Sequence, residues 1–246
     1  MTRILLEVCV DDAAGIRAAV EGGADRIELC TALPLGGLTP SVGLMRLAAE
    51  AGVPTMAMVR PRAGDFVWSH EERRAMVAEI AGSRDAGLQG VVIGASRPDG
   101  SLDGETLAAL VAAAEGLDVT LHRAIDLVPD LDAAIRLCRA LGLNRVLSSG
   151  GAQLACDGVD RLSRLAEAGL VVMPGGGVSA ETVGHLAARL PLAEVHASCS
   201  VLQAPPQNPR IAAFGFQPPQ MRQTDPGRVR ALRSALDRIS KERDGR

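Results

Sequence analysis

The chain predicts a single (β/α)8 barrel of the α/β class on three observations. Short β-rich runs alternate with helical periodicity from end to end, eight such units can be counted, and the 246 residues come close to the ~250 typical of that barrel. The strand candidates are Ile4–Cys9, Arg26–Cys30, Thr55–Arg60, Gly90–Gly94, Asp118–His122, Arg145–Ser149, Leu170–Pro174 and Glu194–Ala197. They recur at roughly 22 to 35 residues, the length that a strand, a crossover helix and a return require. The rhythm does not break, so residues 1–246 read as one domain.

The elements can be justified in order. Met-Thr-Arg is followed at once by Ile4–Cys9, a run that carries Glu7 and has no small-residue cleavage site, so it reads as a first strand and not as a secretory signal. Gly22-Gly23, Gly52, Gly87 and Gly169 each close an Ala-rich or Glu-Ala run and precede the next strand, a repeated helix-stop device. Ser69-His70-Glu71-Glu72 is a capping box that opens a helix. Leu131–Leu141 is helical, with Cys138 as packing, and Ser179 is expected to cap a helix after the seventh strand. After the eighth strand, Val201–Thr224 is rich in Pro and Gln and reads as a long irregular loop on the face where such barrels do chemistry. Asp225-Pro226 then opens a last helix, 225–243, with Asp as cap and Pro in the first turn.

Composition narrows the function classes. With 47% hydrophobic and 22% charged residues the chain is an ordinary globular protein, not a disordered one. A net charge of −3 and 2% aromatics offer neither an electrostatic footprint nor stacking platforms for nucleic acid. No apolar run approaches the ~20 residues needed to span a bilayer, so no membrane association is expected. Five cysteines at irregular spacing argue against a disulfide framework and for a reducing cytoplasm.

Side chains two apart in a strand share a face. At the carboxyl ends of the strands that parity brings together Glu7 and Cys9, Glu28 and Cys30, Arg60 and Arg62, His122, and His196. Charges inside a barrel must pair, hydrogen-bond or bind something. One reading is a structural layer in which Arg60 and Arg62 satisfy Glu7 and Glu28. The other is catalytic, because polar residues at this rim are where such enzymes work. Glu7 or Glu28 would then act with His122 as acid and base, adjacent carboxylates would push one proton affinity up, Asp126 would orient His122, and Arg60 and Arg62 would clamp an anion. Pro174-Gly-Gly-Gly-Val-Ser179 offers bare N–H groups at Gly175, Gly176 and Gly177 for a phosphate or carboxylate, with Ser149 as a further donor. Cys9 and Cys30 are the pair placed to share a soft ion, with His122, His196 or Cys199 as further ligands, unless they are small buried hydrophobes.

Several segments, taken together, resemble the CutC family, described as copper homeostasis proteins. They are Leu6-Glu-Val-Cys9, Gly23-Ala-Asp-Arg-Ile-Glu-Leu-Cys30, Gly36-Gly-Leu-Thr-Pro-Ser41, Arg60-Pro-Arg-Ala-Gly-Asp-Phe66, Leu121-His-Arg-Ala-Ile-Asp126, Val146-Leu-Ser-Ser-Gly150 and Glu194-Val-His-Ala-Ser198. The resemblance implies a TIM-type barrel, a cytoplasmic home, self-association as a homodimer or higher homo-oligomer, and Cu(I) binding by cysteines near the barrel mouth, here Cys9 and Cys30 with His196. Some members carry two adjacent cysteines at the end of the first strand, where here Val10 follows Cys9. The residues themselves favour a different occupant, a small phosphorylated or carboxylated substrate, so a copper ion and an organic anion both stand as expected partners.

Overall fold

Alternation along each apolar run decides which side chains line the barrel and which lie under its helices. The computed structural model describes residues 3–217 and 220–245. Its first eight strands are β1 (Leu5–Val10), β2 (Arg26–Leu29), β3 (Thr55–Met58), β4 (Gly90–Ile93), β5 (Asp118–Leu121), β6 (Arg145–Ser148), β7 (Val171–Pro174) and β8 (Glu194–Ala197). All are parallel, in the order β7-β6-β5-β4-β3-β2-β1-β8. The sheet therefore curls into a nearly closed (β/α)8 barrel. Among the described residues only β7 and β8 form no ladder with each other.

The crossovers are α1 (Ala13–Gly22), α2 (Val42–Ala49), α3 (His70–Asp85), α4 (Gly104–Ala113), α5 (Leu131–Ala140), α6 (Val159–Glu167) and α7 (Val183–Ala187). Capping explains their limits. Ser69 and Glu72 form the reciprocal capping box that opens α3. Gly23, at φ 89°, ends α1 by donating its N–H to Ala19 and Val20 carbonyls, a geometry that a Cβ would penalise. None of the described helices is long and apolar enough to cross a membrane.

Outward strand positions such as Leu6, Val8, Ile27, Leu29, Val91, Ile93, Leu121 and Val146 join the helices in one apolar shell. Inside the barrel the apolar cluster is small, with Cys30, Met56, Met58 and Val92 at its centre. Much of the remaining interior is charged. Register sets it: Glu7 lies beside Arg26 on β2 and beside His196 on β8. Arg26 Nε donates to Glu7 at 2.5 Å and its Nη2 to Glu194 at 2.5 Å. Arg145 lies 2.9 Å from Glu194 through Nε and 2.5 Å from Asp118 through Nη1. Arg26, Asp118, Arg145 and Glu194 are each the first residue of a strand, so alternating charges close the floor of the barrel.

This is an ion-pair layer, but not the one expected from Arg60 and Arg62. β3 stops at Met58, so the two-residue period does not extend to 60 and 62, and Glu7 takes the guanidinium that the parallel register sets beside it.

The stretch after β8 is also more ordered than an irregular loop. β9 (Ser200–Leu202) pairs antiparallel with β10 (Arg222–Thr224), and Gln203 donates its N–H to the Met221 carbonyl, so the two ends are stitched together at a neck. The short helix α8 (Arg210–Ala213) sits in the excursion, where the Phe214 and Phe216 rings stack 6.0 Å apart and are exposed. Pro218 and Pro219 of the Pro/Gln-rich run lie outside the described residues. Asp225 then caps α9 (Pro226–Asp244) by accepting from the Arg228 N–H.

Breaking one partner of a buried ion network strands the others without compensation. Arg26→Met is expected to lower stability by about 3–5 kcal/mol in urea unfolding, and adding Glu7→Gln to that variant is expected to recover part of the loss.

Candidate active site at the carboxyl ends of the strands

Eight strands ending at one rim leave a cavity of about 410 Å3, lined among others by Cys9, Glu28, Arg60, His122, Gly175 and His196. These come from β1, β2 and β8 or from the turns that follow β3, β5 and β7, so residues as far apart in sequence as Cys9 and His196 converge because each lies at or just beyond the carboxyl end of a strand.

At the base of the cavity lies a carboxylate, imidazole, carboxylate series. Glu7 Oε1 is 2.8 Å from His196 Nδ1, and His196 Nε2 faces Glu28 at 3.8 Å. Burial opposes ionisation of Glu7, yet the His196 hydrogen bond and the Arg26 charge outweigh it and hold its pKa at about 2. Glu28 moves the other way: burial raises its pKa, the His196 charge works against that rise, and the Glu7 charge adds to it. Its Oε1 is buried without any hydrogen bond. Burial disfavours a charged His196, but Glu28, Cys9 and Glu7 together raise its pKa well above the ordinary value. The result is a fixed anion, a cationic imidazole and a carboxyl of raised proton affinity, in that order outward. Of the two expected carboxylates, Glu28 is thus the one able to exchange a proton, and its partner at this end is His196.

His122 has another task. Its Nδ1 accepts the Ala124 N–H at 3.1 Å, which places the ring proton on Nε2, and Nε2 is buried without a partner. Burial, with the Arg60 charge adding to it, pushes its pKa down to about 3. The ring is therefore neutral and a donor, not the base that sequence suggests. Phe66 packs on it at 4.6 Å between centroids. The absence of a side chain at Gly94 makes room, since a Cβ there would sit 2.1 Å from the imidazole.

Arg60 is buried with three main-chain carbonyls around its guanidinium: Leu35 and Gly37 accept from Nη1, and Gly64 from Nη2. It lies 5.2 Å from the Phe66 centroid. No carboxylate pairs with it among the described residues, and its Nε–H is unpartnered. A buried cation balanced only by carbonyl dipoles is an invitation to an anion.

Other expected residues sit elsewhere. Arg62 leaves the rim: it pairs with Asp65 and Glu72, lies 4.9 Å over Trp68, and so braces the start of α3. Asp126 does not orient His122. It accepts from Ser148 Oγ, from the N–H groups of Ser149 and Gly151, and from Arg123, and so pins the turn after β6. Ser149 Oγ is used up in the same network, where it meets Asp126, Arg123 and the Ala152 carbonyl. The Gly175 N–H is taken by the Ser148 carbonyl, while Gly176 lines the cavity and Gly177 faces a neighbouring hollow. The helix expected at Ser179 begins only at Val183, because Ser179 Oγ turns to Glu181 instead.

The soft-ion pair is also rearranged. Cys9, Glu28 and His196 each bring a ligand atom within 4.8 Å of the others. The Cys30 thiol is instead fully buried against methionines, 3.5 Å from Glu28, and burial raises its pKa strongly. The sequence reading missed Arg26, although it lies two positions before Glu28 and so on the same face. It also missed Arg222, which reaches the cavity from β10.

Comparison with known proteins agrees with this architecture, since the sequence model of the CutC family matches residues 4–201. The chain belongs to the CutC family. A CutC family protein of Sinorhizobium medicae is 50% identical over 243 residues, covering 98% of this chain and 99% of its own. A CutC family protein of Caulobacter vibrioides is 47% identical over 239 residues, covering 95% and 97%. The crystal structure of a Streptococcus agalactiae CutC, named for a supposed role in copper homeostasis, superimposes with a TM-score of 0.75 at 29% identity, covering 79% of this chain and 98% of its own. The excursion after β9 and the helix α9 thus lie beyond the part matched by the CutC family model.

A folded pKa of about 3 for His122 lies below its ordinary value of 6.5. The unfolded chain therefore binds that proton first, so the contribution is present above pH 6.5 and is lost as pH falls toward 3. The stability difference between wild type and His122→Gln in urea is expected to shift by about 2 kcal/mol against wild type from pH 7.5 to 5. The wild-type His122 ring resonances should not titrate over that range.

Proposed function

We propose that this CutC-family chain is an enzyme that moves a proton on a small anionic carbonyl compound. What carries the reading is the joint presence in one cavity of a buried guanidinium without a carboxylate, Arg60, and a neutral imidazole whose Nε2–H lacks an acceptor, His122. An anionic substrate group compensates Arg60. The His122 N–H donates to the carbonyl oxygen and stabilises the negative charge that develops there, an interaction whose removal typically costs 10²–10³ in rate. Glu28, with its raised proton affinity, takes the proton from the neighbouring carbon. His196, held by Glu7, supports the ionised form of Glu28. A carboxylate base beside a neutral imidazole donor is a known solution for this chemistry.

A metal-binding reading is favoured by a separate observation, the Cys9, Glu28 and His196 group. Glu7 on the far nitrogen of His196 is the outer carboxylate that often orients a metal-bound imidazole. Copper homeostasis, the role for which the Streptococcus agalactiae relative is named, would then be served by Cu(I) as cargo at this group. One thiolate among nitrogen and oxygen donors is a harder set than Cu(I) prefers, which places this reading second. Cytoplasmic residence and self-association belong to the proposal as well; the five free cysteines support a reducing compartment.

Screening phosphorylated and carboxylated metabolites by thermal shift, then following carbon-bound protons of each binder in D2O by NMR, tests the first reading. Wild type should bind at least one compound and exchange its proton. Glu28→Gln should keep binding and lose exchange by about 10²–10⁴-fold, and Arg60→Met should lose binding. Absence of any binder, or undiminished exchange in Glu28→Gln, would overturn it. For the metal, anaerobic Cu(I) titration against a chromogenic chelator should give one site, abolished in Cys9→Ser and kept in Cys30→Ser. Unchanged affinity in Cys9→Ser would remove that site.

A further inference from the structure

Beside the main cavity lies a second hollow, of about 170 Å3, between the turn after β7 and the turn after β8. The two spaces share Ser198, Ser200 and Arg222 in their walls, so a molecule whose reactive part rests near Glu28 has a side compartment within reach. We infer that this compartment is a phosphate subsite, and that the substrate is a small phosphate monoester whose second anionic group, a carboxylate, meets Arg60. The inference rests on the catalytic reading of the main cavity and adds the chemical class of what binds there.

The chemistry of the hollow complements a group of three oxygens that share negative charge. Two guanidinium groups border it, Arg222 and Arg228. Arg222 is held in place by donating Nε to Ser200 Oγ at 2.9 Å and Nη2 to the Ser200 carbonyl at 2.8 Å, which leaves Nη1 uncommitted. Among the described residues neither arginine has a carboxylate within ion-pair distance, and the Arg228 side chain makes no hydrogen bond. On the opposite side the main chain turns back at Gly177 and Cys199, both at positive φ. The N–H groups of Gly177, Val178 and Cys199 meet no acceptor among the described residues. The hydroxyls of Ser198 and Ser200 lie 3.0 Å apart and share one hydrogen bond, which leaves one hydroxyl proton as a donor between these walls.

Donors thus come from two guanidiniums, two backbone turns and one hydroxyl. A carboxylate, with two oxygens in one plane, cannot engage all of them; a phosphate, with three terminal oxygens and close to two negative charges, can. The turns after the seventh and eighth strands are also a frequent phosphate site in barrels of this kind. One feature opposes an anion: the Glu181 carboxylate borders the hollow. It is exposed and tied to Ser179 Oγ at 2.6 Å, so it offsets part of one guanidinium and leaves the other. Arg222 and Arg228 lie outside residues 4–201, the part that the family model matches.

The test is 31P NMR and calorimetric titration of the full chain with inorganic phosphate, followed by a panel of three- to six-carbon sugar phosphates and phosphorylated sugar acids. Wild type should bind inorganic phosphate, sulfate should compete, and acetate should not. Arg228→Met, at an exposed position where no side-chain hydrogen bond or ion pair is lost among the described residues, should weaken phosphate at least tenfold, and Glu181→Gln should strengthen it. At least one phosphorylated sugar acid should bind tenfold more tightly than inorganic phosphate and lose that gain in Arg60→Met. No phosphate binding by wild type, or equal binding by Arg228→Met and Arg222→Met, would overturn the subsite. So would phosphorylated sugar acids that bind no better than the free ion. If phosphate binding depends on Arg228 but no compound exchanges its proton, the subsite stands and the catalytic reading falls. Exchange on an unphosphorylated acid, indifferent to Arg228→Met, would leave the catalytic reading standing and sink the subsite.

Discussion

One buried carboxylate organises the interior of this barrel. Glu7 is wholly shielded from water, and it remains ionised because Arg26 and His196 reach it from the two strands that flank its own. The desolvation of such a charge is expensive, and partial compensation would leave the core unstable. From that requirement much follows. Arg26 must continue to Glu194, Glu194 must meet Arg145, and the floor becomes a series of alternating charges that runs on to Asp118. Toward the mouth, the same carboxylate fixes the ring of His196 and thereby the electrostatic field felt by Glu28.

The charges of the barrel divide by height. Those at the amino ends of the strands are matched one against another, whereas Arg60 and Arg222 at the carboxyl ends have no acidic counterpart among the described residues. Apolar matter is displaced to the shell between strands and helices, where Leu, Ile and Val fill the outward positions. This division explains how a chain with modest net charge can present a strongly polarised cavity. The scaffold is stabilised by the shell and the floor, so the mouth is free to carry groups whose partners must come from outside.

The eight strands were legible because four-residue apolar runs bounded by glycine stops are a local signal, and the observed strands fall on the expected ones within a residue or two. The site was legible only in part. Parity correctly grouped Glu7, Cys9, Glu28, His122 and His196, since each belongs to a strand or immediately follows one. Arg60 also reaches the cavity, from the turn after β3, but parity failed at Arg62, because β3 ends at Met58 and the chain beyond it obeys turn geometry. Partner choice was hidden as well: that Glu7 takes Arg26, or that Asp126 is consumed by Ser148 and Ser149, depends on register and loop path, which no local pattern encodes. The tautomer of His122 is set by a backbone N–H two residues on, visible only once the 3-10 turn at Arg123–Leu127 has formed.

The missing ladder between β7 and β8 has a mechanical meaning. A barrel with one unlaced stave resists deformation less along that line than anywhere else on its circumference, so slow breathing of the fold should concentrate there. The turns that emerge from those two staves are the ones that flank the smaller hollow. A guest gripping both would act as a rivet across the gap, lending the scaffold, while it remains bound, the hoop tension that its own backbone leaves unfinished.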